Sequence, residues 1–341
     1  IMDTVDKRAT KEWLENLEDS LGNIVPDYLV ISHLEPDHSA NIQILVEKYP
    51  EMKIILNQRT AGMMRQFFDL DLTNRYVLVD EGDVIDLGEH KLQFFMAPMV
   101  HWPEVMVTYE QTEKILFSAD GFGKFGTLDT DEDWTCEARR YYFNIVGKYG
   151  TQVQQLLKKV ATLDIKMICP LHGPILKENL EYYINKYDTW SSYKAEDDGV
   201  LIAYNSIHGN TKSAVEKLEI MLKENGAKKV VAMDLSRDDM AEAIEDAFRY
   251  DKLIIATPTY DAGLFPHTED FLNHLKSKNY QNRRVGIIEN GSWAPMSGKK
   301  VKEIIKEFKN IKLCDTMVTI KTRLNEESSK QLEKLAKEIL N

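Results

Sequence analysis

The stretch ISHLEPDHSA, residues 31 to 40, carries two histidines and two carboxylates directly after the apolar run PDYLV. Alternate residues of an extended chain point to the same side, so His33, Glu35 and Asp37 share one side and His38 follows from the next turn. Imidazole nitrogens and carboxylate oxygens in such a set can hold two metal ions. The same residues could instead form a polar cap before the helix predicted for SANIQILVEKY. Taken alone, this stretch leaves both interpretations open.

Three later residues favour the metal site. His101 begins HWPE after the apolar stretch FFMAPMV, Asp120 ends KILFSAD, and His172 follows MICP. Each of these possible ligands lies at the end of a predicted strand. A single histidine at such a place is usually structural, but the repeated placement indicates a metal centre.

A second set of residues suits a ligand with a phosphate and a flat ring. YNSIHGNTKSA, at residues 204 to 214, leaves a predicted strand and enters a helix, whose N-terminal N–H groups favour a phosphate. A plain helix cap is the alternative for this turn. Neither GxGxxG nor a Gly-Lys-Ser/Thr motif is present, which disfavours a dinucleotide and a P-loop. Two further loops, at residues 257 to 266 and 289 to 300, bring Tyr260 and Trp293 to carboxyl ends of predicted strands, which suits a flat aromatic ligand.

The elements that must position these residues fall into two halves. In the first, strands come before covering helices, with a long helical region predicted for residues 135 to 163, which indicates a layered α/β domain. In the second, five β-then-α units predict a doubly wound parallel sheet, with sites beyond the carboxyl ends of its strands. The polar stretch KAEDDG, residues 194 to 199, is the predicted linker. We therefore expect domains at residues 1–195 and 199–341.

Composition narrows the class of protein. The formal net charge of −12 over 341 residues argues against a nucleic-acid partner. Three widely spaced cysteines give no disulfide framework, so we expect a cytoplasmic protein. No apolar run approaches the roughly 18 residues of a membrane span, so we expect no membrane association. Because the sequence begins with Ile and IMDTVD reads like the end of a strand, we expect an N-terminally truncated chain.

The second half resembles flavodoxin, which implies bound FMN. The resemblance places the phosphate on residues 206–211 and the ring between loops 258–263 and 290–294. The residues implied to contact FMN are Ser206, Ile207, His208, Gly209, Asn210, Thr211, Pro258, Thr259, Tyr260, Asp261, Ala262, Gly263, Asn290, Gly291, Ser292, Trp293 and Ala294.

The first half resembles the metallo-β-lactamase superfamily, with Glu35 in place of the second histidine of its H-x-H-x-D-H motif. Together, the halves closely resemble the flavodiiron proteins, which implies an αββα domain followed by a flavodoxin-like domain. The resemblance implies two iron ions and no catalytic side chain beyond their ligands. It assigns one iron to His33, Glu35 and His101, the other to Asp37, His38 and His172, with Asp120 bridging.

The resemblance also implies an activity and partners. The expected reaction reduces dioxygen to water, nitric oxide to nitrous oxide, or both, with electrons relayed by FMN from rubredoxin or another donor. A head-to-tail homodimer would bring the flavin of one chain to the di-iron site of the other. Two alternatives remain at this point: a zinc hydrolase fused to a flavodoxin-like module, and a non-catalytic flavin electron carrier.

Overall fold

The computed structural model describes residues 1–130 and 132–341. The strands are β1 (Tyr28–Val30), β2 (Lys53–Leu56), β3 (Tyr76–Leu78), β4 (Val84–Asp86), β5 (Lys91–Met96), β6 (Met106–Glu110), β7 (Ile115–Phe117), β8 (Met167–Cys169), β9 (Asp197–Tyr204), β10 (Val230–Asp234), β11 (Tyr250–Pro258), β12 (Arg284–Asn290) and β13 (Lys312–Ile320). The α-helices are α1 (Thr10–Leu21), α2 (Pro36–Ser39), α3 (Ile42–Lys48), α4 (Gln58–Phe67), α5 (Trp134–Tyr141), α6 (Gly150–Val160), α7 (Leu180–Ser191), α8 (Asn210–Glu224), α9 (Met240–Arg249), α10 (Pro266–Ser277), α11 (Ser297–Ile305) and α12 (Glu326–Leu340). No helix among the described residues is long and apolar enough to cross a membrane.

The chain forms two compact units. The first comprises Ile1–Glu132 and Thr151–Tyr187, and the second comprises Asp133–Gly150 and Asp188–Asn341. The domain boundary expected near residue 195 stays a prediction. Strand β9 begins at Asp197, inside the stretch predicted as a linker.

Two facing sheets build the first unit. β1, β2 and β3 form a parallel sheet, whereas β4 to β8 form a second sheet that is antiparallel except for the parallel pair β7–β8. Alternation along β1 sends Leu29 into a core shared with the helices and Val30 into a core shared with Phe94 and Met106 of the second sheet. The α/β class and the layered arrangement are thereby confirmed. The segment RYVLVD contains β3, which pairs in parallel with β2 in the first sheet.

The second unit is built on a five-stranded parallel sheet with the order β10-β9-β11-β12-β13. The predicted doubly wound sheet is confirmed. Its central strands are buried almost continuously, as expected for strands covered on both faces, and β9 is buried from Gly199 to Tyr204. The strand order changes direction at β9, so the loops after β9 and β11 flank the topological switch point.

Residues 133–150 belong to the second unit, where a buried ion-pair network holds them. The Arg139 guanidinium donates to Glu196 at 2.8 Å and to Glu245 at 2.5 Å. Trp190 donates its indole N–H to Glu196 at 2.7 Å. The long helical region predicted for residues 135 to 163 is found at residues 134–160, where π-helical and 3-10 segments at Tyr142–Val146 and Gly147–Tyr149 connect α5 to α6.

Candidate metal centre and flavin site

Strand ends in the first unit bring the predicted metal ligands together. His33 follows β1, His101 follows β5, Asp120 follows β7 and His172 follows β8. The second half of ISHLEPDHSA is the short helix α2, which presents His38 on a buried turn. The seven residues form two groups that could each hold a metal ion: His33, Glu35, His101 and Asp120, and then Asp37, His38 and His172.

In the first group, four ligand atoms surround one point. Glu35 Oε2 lies 2.9 Å from His101 Nε2 and 3.2 Å from His33 Nε2. Asp120 Oδ2 lies 3.1 Å from His101 Nε2 and 3.4 Å from His33 Nε2. Two ligand atoms that are each about 2.1 Å from one ion, at right angles, lie about 3 Å apart. The spacing of this group therefore fits a common ion.

The second group has similar spacing. Asp37 Oδ2 lies 3.4 Å from both His38 Nε2 and His172 Nε2. The two imidazole nitrogens of His38 and His172 are only 3.0 Å apart. Two neutral nitrogen lone pairs at that distance repel each other unless a proton or a cation lies between them. His38 thus faces the same point as His172.

Asp120 faces both groups at once. Its Oδ1 lies 3.1 Å from His38 Nε2, while its Oδ2 lies 3.1 Å from His101 Nε2. The carboxylate is completely buried, yet neither oxygen accepts a hydrogen bond with good geometry from the residues that the structure describes. An ionised buried carboxylate without donors is costly unless it is paired or coordinates a metal. This donor set therefore fits two cations with Asp120 between them.

Glu104 is a member of the site that the sequence did not reveal. Its buried Oε1 lies 2.8 Å from His33 Nδ1 and accepts the backbone N–H of Leu34 at 3.0 Å. Burial would lower the pKa of His33, but the hydrogen bonds to Glu104 and Glu35 outweigh it and raise that pKa to about 10. Because an ionised carboxylate only accepts, Nδ1 donates its proton to Glu104, and this leaves Nε2 facing the other ligands, where it can bind a metal ion once its own proton is released. The only signal in the sequence was an acidic residue three positions after His101.

The neighbouring histidines and carboxylates also shift one another's pKa values, each stabilising the charged form of the other. Burial would lower the pKa of His101, but Asp120 and Glu35 raise it to about 9. Contacts with His101 and then His33 lower the pKa of Glu35 to about 2. Burial would raise the pKa of Asp120, but His101 and His38 hold it well below its usual range. Protons thus balance the carboxylates where cations would otherwise do so, and metal binding must release them.

In the second unit, loops at one edge of the sheet line a single cavity. Its lining residues are Ser206, Ile207, His208, Asn210, Thr211, Pro258, Thr259, Asn290, Gly291, Ser292, Trp293 and Thr322. Gly209 has φ +83° and directly precedes α8, a helix of 15 residues whose N-terminal dipole suits a phosphate. Trp293 is 91% exposed, so its ring stands at the rim of the cavity.

Hydrogen bonds between the loops hold this cavity in shape. Asn290 donates to the Thr322 carbonyl at 3.0 Å and to the Thr211 hydroxyl at 3.3 Å, and accepts the Thr322 N–H at 3.1 Å. The Thr259 hydroxyl accepts the N–H groups of Met296 and Ser297 at 2.9 and 3.2 Å. Thr322 follows β13, whose carboxyl end is not among the loops predicted to bind the ligand. Asn290 and Thr259 therefore hold other loops in place as well as lining the cavity.

Some residues predicted to contact flavin lie elsewhere. Tyr260, Asp261 and Gly263 line a neighbouring groove with Lys300 and Glu303. A tight turn explains their position, because the Gly263 N–H donates to the Tyr260 carbonyl at 2.7 Å. Gly209, Ala262 and Ala294 are also absent from the lining of the cavity among the described residues. Their contact with FMN stays a prediction.

Known proteins resemble this chain in sequence and in fold. The family model described as "ODP family beta lactamase" matches residues 2–173. An anaerobic nitric oxide reductase flavorubredoxin from Aliivibrio fischeri is 28% identical over 304 residues, which are 86% of this chain. The chain spans only 61% of that relative's length.

Two solved structures have the same fold over almost the whole chain. Rubredoxin oxygen:oxidoreductase from Desulfovibrio gigas has a TM-score of 0.89 and 25% identity, covering 99% of this chain and 86% of its own. The flavodiiron protein from Giardia intestinalis has a TM-score of 0.87 and 21% identity, covering 99% and 85%. Because the family model matches half of its residues, the chain belongs to the ODP family of beta lactamases, and its fold is that of the flavodiiron proteins.

Proposed function

We propose that the protein is an oxidoreductase that reduces dioxygen to water, nitric oxide to nitrous oxide, or both, at a two-iron centre. The observation that carries this proposal is Asp120, whose two buried oxygens each face a different group of histidine and carboxylate ligands. A diatomic substrate reduced by several electrons needs two redox-active metals close together. The names of the relatives, a nitric oxide reductase and an oxygen oxidoreductase, support the same class of reaction.

The ligand assignment follows the two groups. One iron would be held by His33, Glu35 and His101, the other by Asp37, His38 and His172, with Asp120 shared. Four buried or half-buried carboxylates carry a formal charge of −4, which balances the charge of two divalent cations: Glu35, Asp37, Asp120 and the supporting Glu104. Iron, when bound, supplies the electrons and binds the diatomic gas.

Glu35 favours iron over zinc in this site. A carboxylate in place of an imidazole makes the ligand set harder and more anionic, which supports both the +2 and the +3 state of iron. The protein side chains around the ligands hold them in place and exclude water from the centre. The Trp102 ring lies edge-on to the His33 imidazole, 5.0 Å between centroids, and Phe67 lies 6.4 Å from Trp102, so aromatic side chains flank the centre.

FMN is the proposed electron relay, held in the cavity of the second unit. The phosphate would lie at the N-terminus of α8 against Ser206 and Thr211, and the ring beside Trp293. Rubredoxin or another reduced carrier is the proposed donor. A head-to-tail homodimer is the proposed assembly, since it would place the flavin of one chain at the metal centre of its partner. A monomeric mass by light scattering would contradict that assembly.

Gas consumption tests the proposed reaction. Protein loaded with iron and FMN is supplied with reduced rubredoxin, and the uptake of dioxygen or, anaerobically, of nitric oxide is followed with electrodes. We expect uptake of at least one gas, and loss of that uptake in Asp120→Asn. The matched control is Glu110→Gln, which alters a buried carboxylate of the same unit that contacts His90 and no metal ligand. Two zinc ions with no iron in the isolated protein, or uptake of neither gas, would refute the proposal.

A further inference from the structure

The loop that carries Asp120 has an unusual backbone. Ala119 and Phe122 both adopt positive φ, +50° and +67°, a region that residues with side chains rarely enter. A Cβ at Gly121 would lie 2.9 Å from the Ser118 carbonyl oxygen, so only glycine fits there. A backbone of this kind persists only where surrounding contacts hold it. Contacts from outside the loop must therefore hold Ala119 and Phe122 in this conformation.

Contacts of this kind reach both ends of the loop. The Phe122 N–H donates to the Tyr187 hydroxyl at 2.7 Å, and the two rings pack with centroids 4.3 Å apart. From the loop that carries His172, the Leu171 N–H donates to the Ala119 carbonyl at 2.8 Å. Tyr187 is only 2% exposed, so the Phe122 N–H would have no water to replace that acceptor.

Asp120 depends on this backbone for its orientation. Its oxygens lie 3.1 Å from His38 Nε2 and His101 Nε2, and neither accepts a hydrogen bond with good geometry from the described residues, so the backbone of the loop has to hold the carboxylate between the two groups. We propose that Tyr187 is a positioning residue of the metal centre, and that its hydroxyl fixes the Phe122 end of the loop so that Asp120 faces both ligand groups. The proposal rests on the two-metal function above, and it assigns a role to a side chain that touches neither group.

Tyr187→Phe tests the role of the hydroxyl, because it keeps the buried ring. The Phe122 N–H then loses its acceptor, the loop relaxes, and one ligand group loses its share of Asp120. The matched control is Tyr109→Phe, which removes a buried hydroxyl of the same unit that donates to the Asp164 carbonyl at 2.8 Å, away from the ligands. Circular dichroism and thermal unfolding of both variants show that each is folded.

Cobalt(II) is the probe, titrated into metal-free protein and followed by its ligand-field absorption and by the EPR coupling between the two ions. The unaltered protein and Tyr109→Phe should each bind two ions that are magnetically coupled. Tyr187→Phe should bind its second ion at least tenfold more weakly and show reduced coupling. Two coupled ions of unchanged affinity in Tyr187→Phe would overturn the proposal. If the unaltered protein itself binds fewer than two ions, the proposed two-metal function fails instead.

Discussion

Glu104→Gln is the most direct test of how the metal centre is built. Glutamine has the size of glutamate and can still accept a hydrogen bond from His33 Nδ1, so the change removes charge and leaves the packing intact. Glu104 is fully buried, and its Oε1 is 2.8 Å from Nδ1, so little water screens the lost charge. Replacing a carboxylate that supports a ligating histidine weakens metal affinity roughly 10-fold to 100-fold. That range equals about 1.4 to 2.7 kcal/mol of binding free energy.

Proton competition sets how the loss depends on pH. Burial lowers the pKa of His33, but Glu104 makes the largest opposing contribution and that pKa stands at about 10. Below pH 10 a metal ion must displace this proton, and Glu104→Gln makes the displacement easier. His33 in this variant holds its proton less tightly, so at pH 7 the easier loss of the proton offsets part of the lost metal affinity. We expect a loss near the lower end of the range at pH 7, growing as the pH rises toward 9.

The assay is a competition titration of the metal-free protein with zinc against a coloured chelator, at pH 7, 8 and 9. Glu110→Gln is the matched control, since Glu110 is a buried carboxylate with a histidine partner, His90, at 3.2 Å. The control should bind zinc like the unaltered protein at every pH. If Glu104→Gln also binds zinc within threefold of the unaltered protein at pH 9, the support assigned to Glu104 is wrong.

Three further changes test the ligand set, the flavin cavity and the buried ion pairs. Glu35→His should lower iron retention in favour of zinc, measured by metal analysis of protein isolated from medium containing both, and full iron with full gas uptake would contradict this. Asn290→Ala removes side-chain hydrogen bonds to two loops, about 1 kcal/mol each, and should weaken FMN binding roughly 5-fold to 30-fold, measured by fluorescence titration. The control Asn225→Ala loses an exposed hydrogen bond at a helix end and should bind FMN like the unaltered protein. Equal FMN affinities of the two variants would refute the role of Asn290 in shaping the cavity. Burial is the largest cause that raises the pKa of Glu245, from 4.5 to about 7. Between these two pH values the folded state keeps a proton that the unfolded state has lost. The free energy of unfolding should therefore fall between pH 4.5 and 7, by at most about 3 kcal/mol. Glu245→Gln should remove that slope in urea unfolding, while the exposed control Glu242→Gln keeps it; an unchanged slope in Glu245→Gln would refute the assignment.

Local rules were enough to predict much of the fold and the approximate site. Apolar runs alternating with amphipathic segments predict five parallel strands in the second half, because such strands and their crossover helices are readable from short stretches. The ligand types could be predicted because carboxyl ends of strands gather polar residues from distant parts of the chain. His33, Asp120 and His172 are all found this way, as residues that end a strand.

Pairing between distant segments could not be predicted in the same way. β3 has the composition of the later strands, yet it pairs with β2, since the choice between two sheets depends on the cores that each strand completes. Residues 133–150 are helical, as the pattern over residues 135 to 163 predicts, but they belong to the second unit, where Arg139 contacts Glu245. A helical pattern gives no information about which partner buries it.

The sequence by itself determined the donor atoms of the metal centre, the glycine-containing turn before α8, and the two-part character of the chain, because these depend on residue type and on spacing along a strand or helix. Only the tertiary structure decided that Asp120 faces two groups, that Glu104 supports His33, and that Tyr187 holds the loop between them. The Glu104–His33 and Tyr187–Phe122 contacts join residues 71 and 65 positions apart, so their geometry follows from how the sheets and helices pack and from no local pattern.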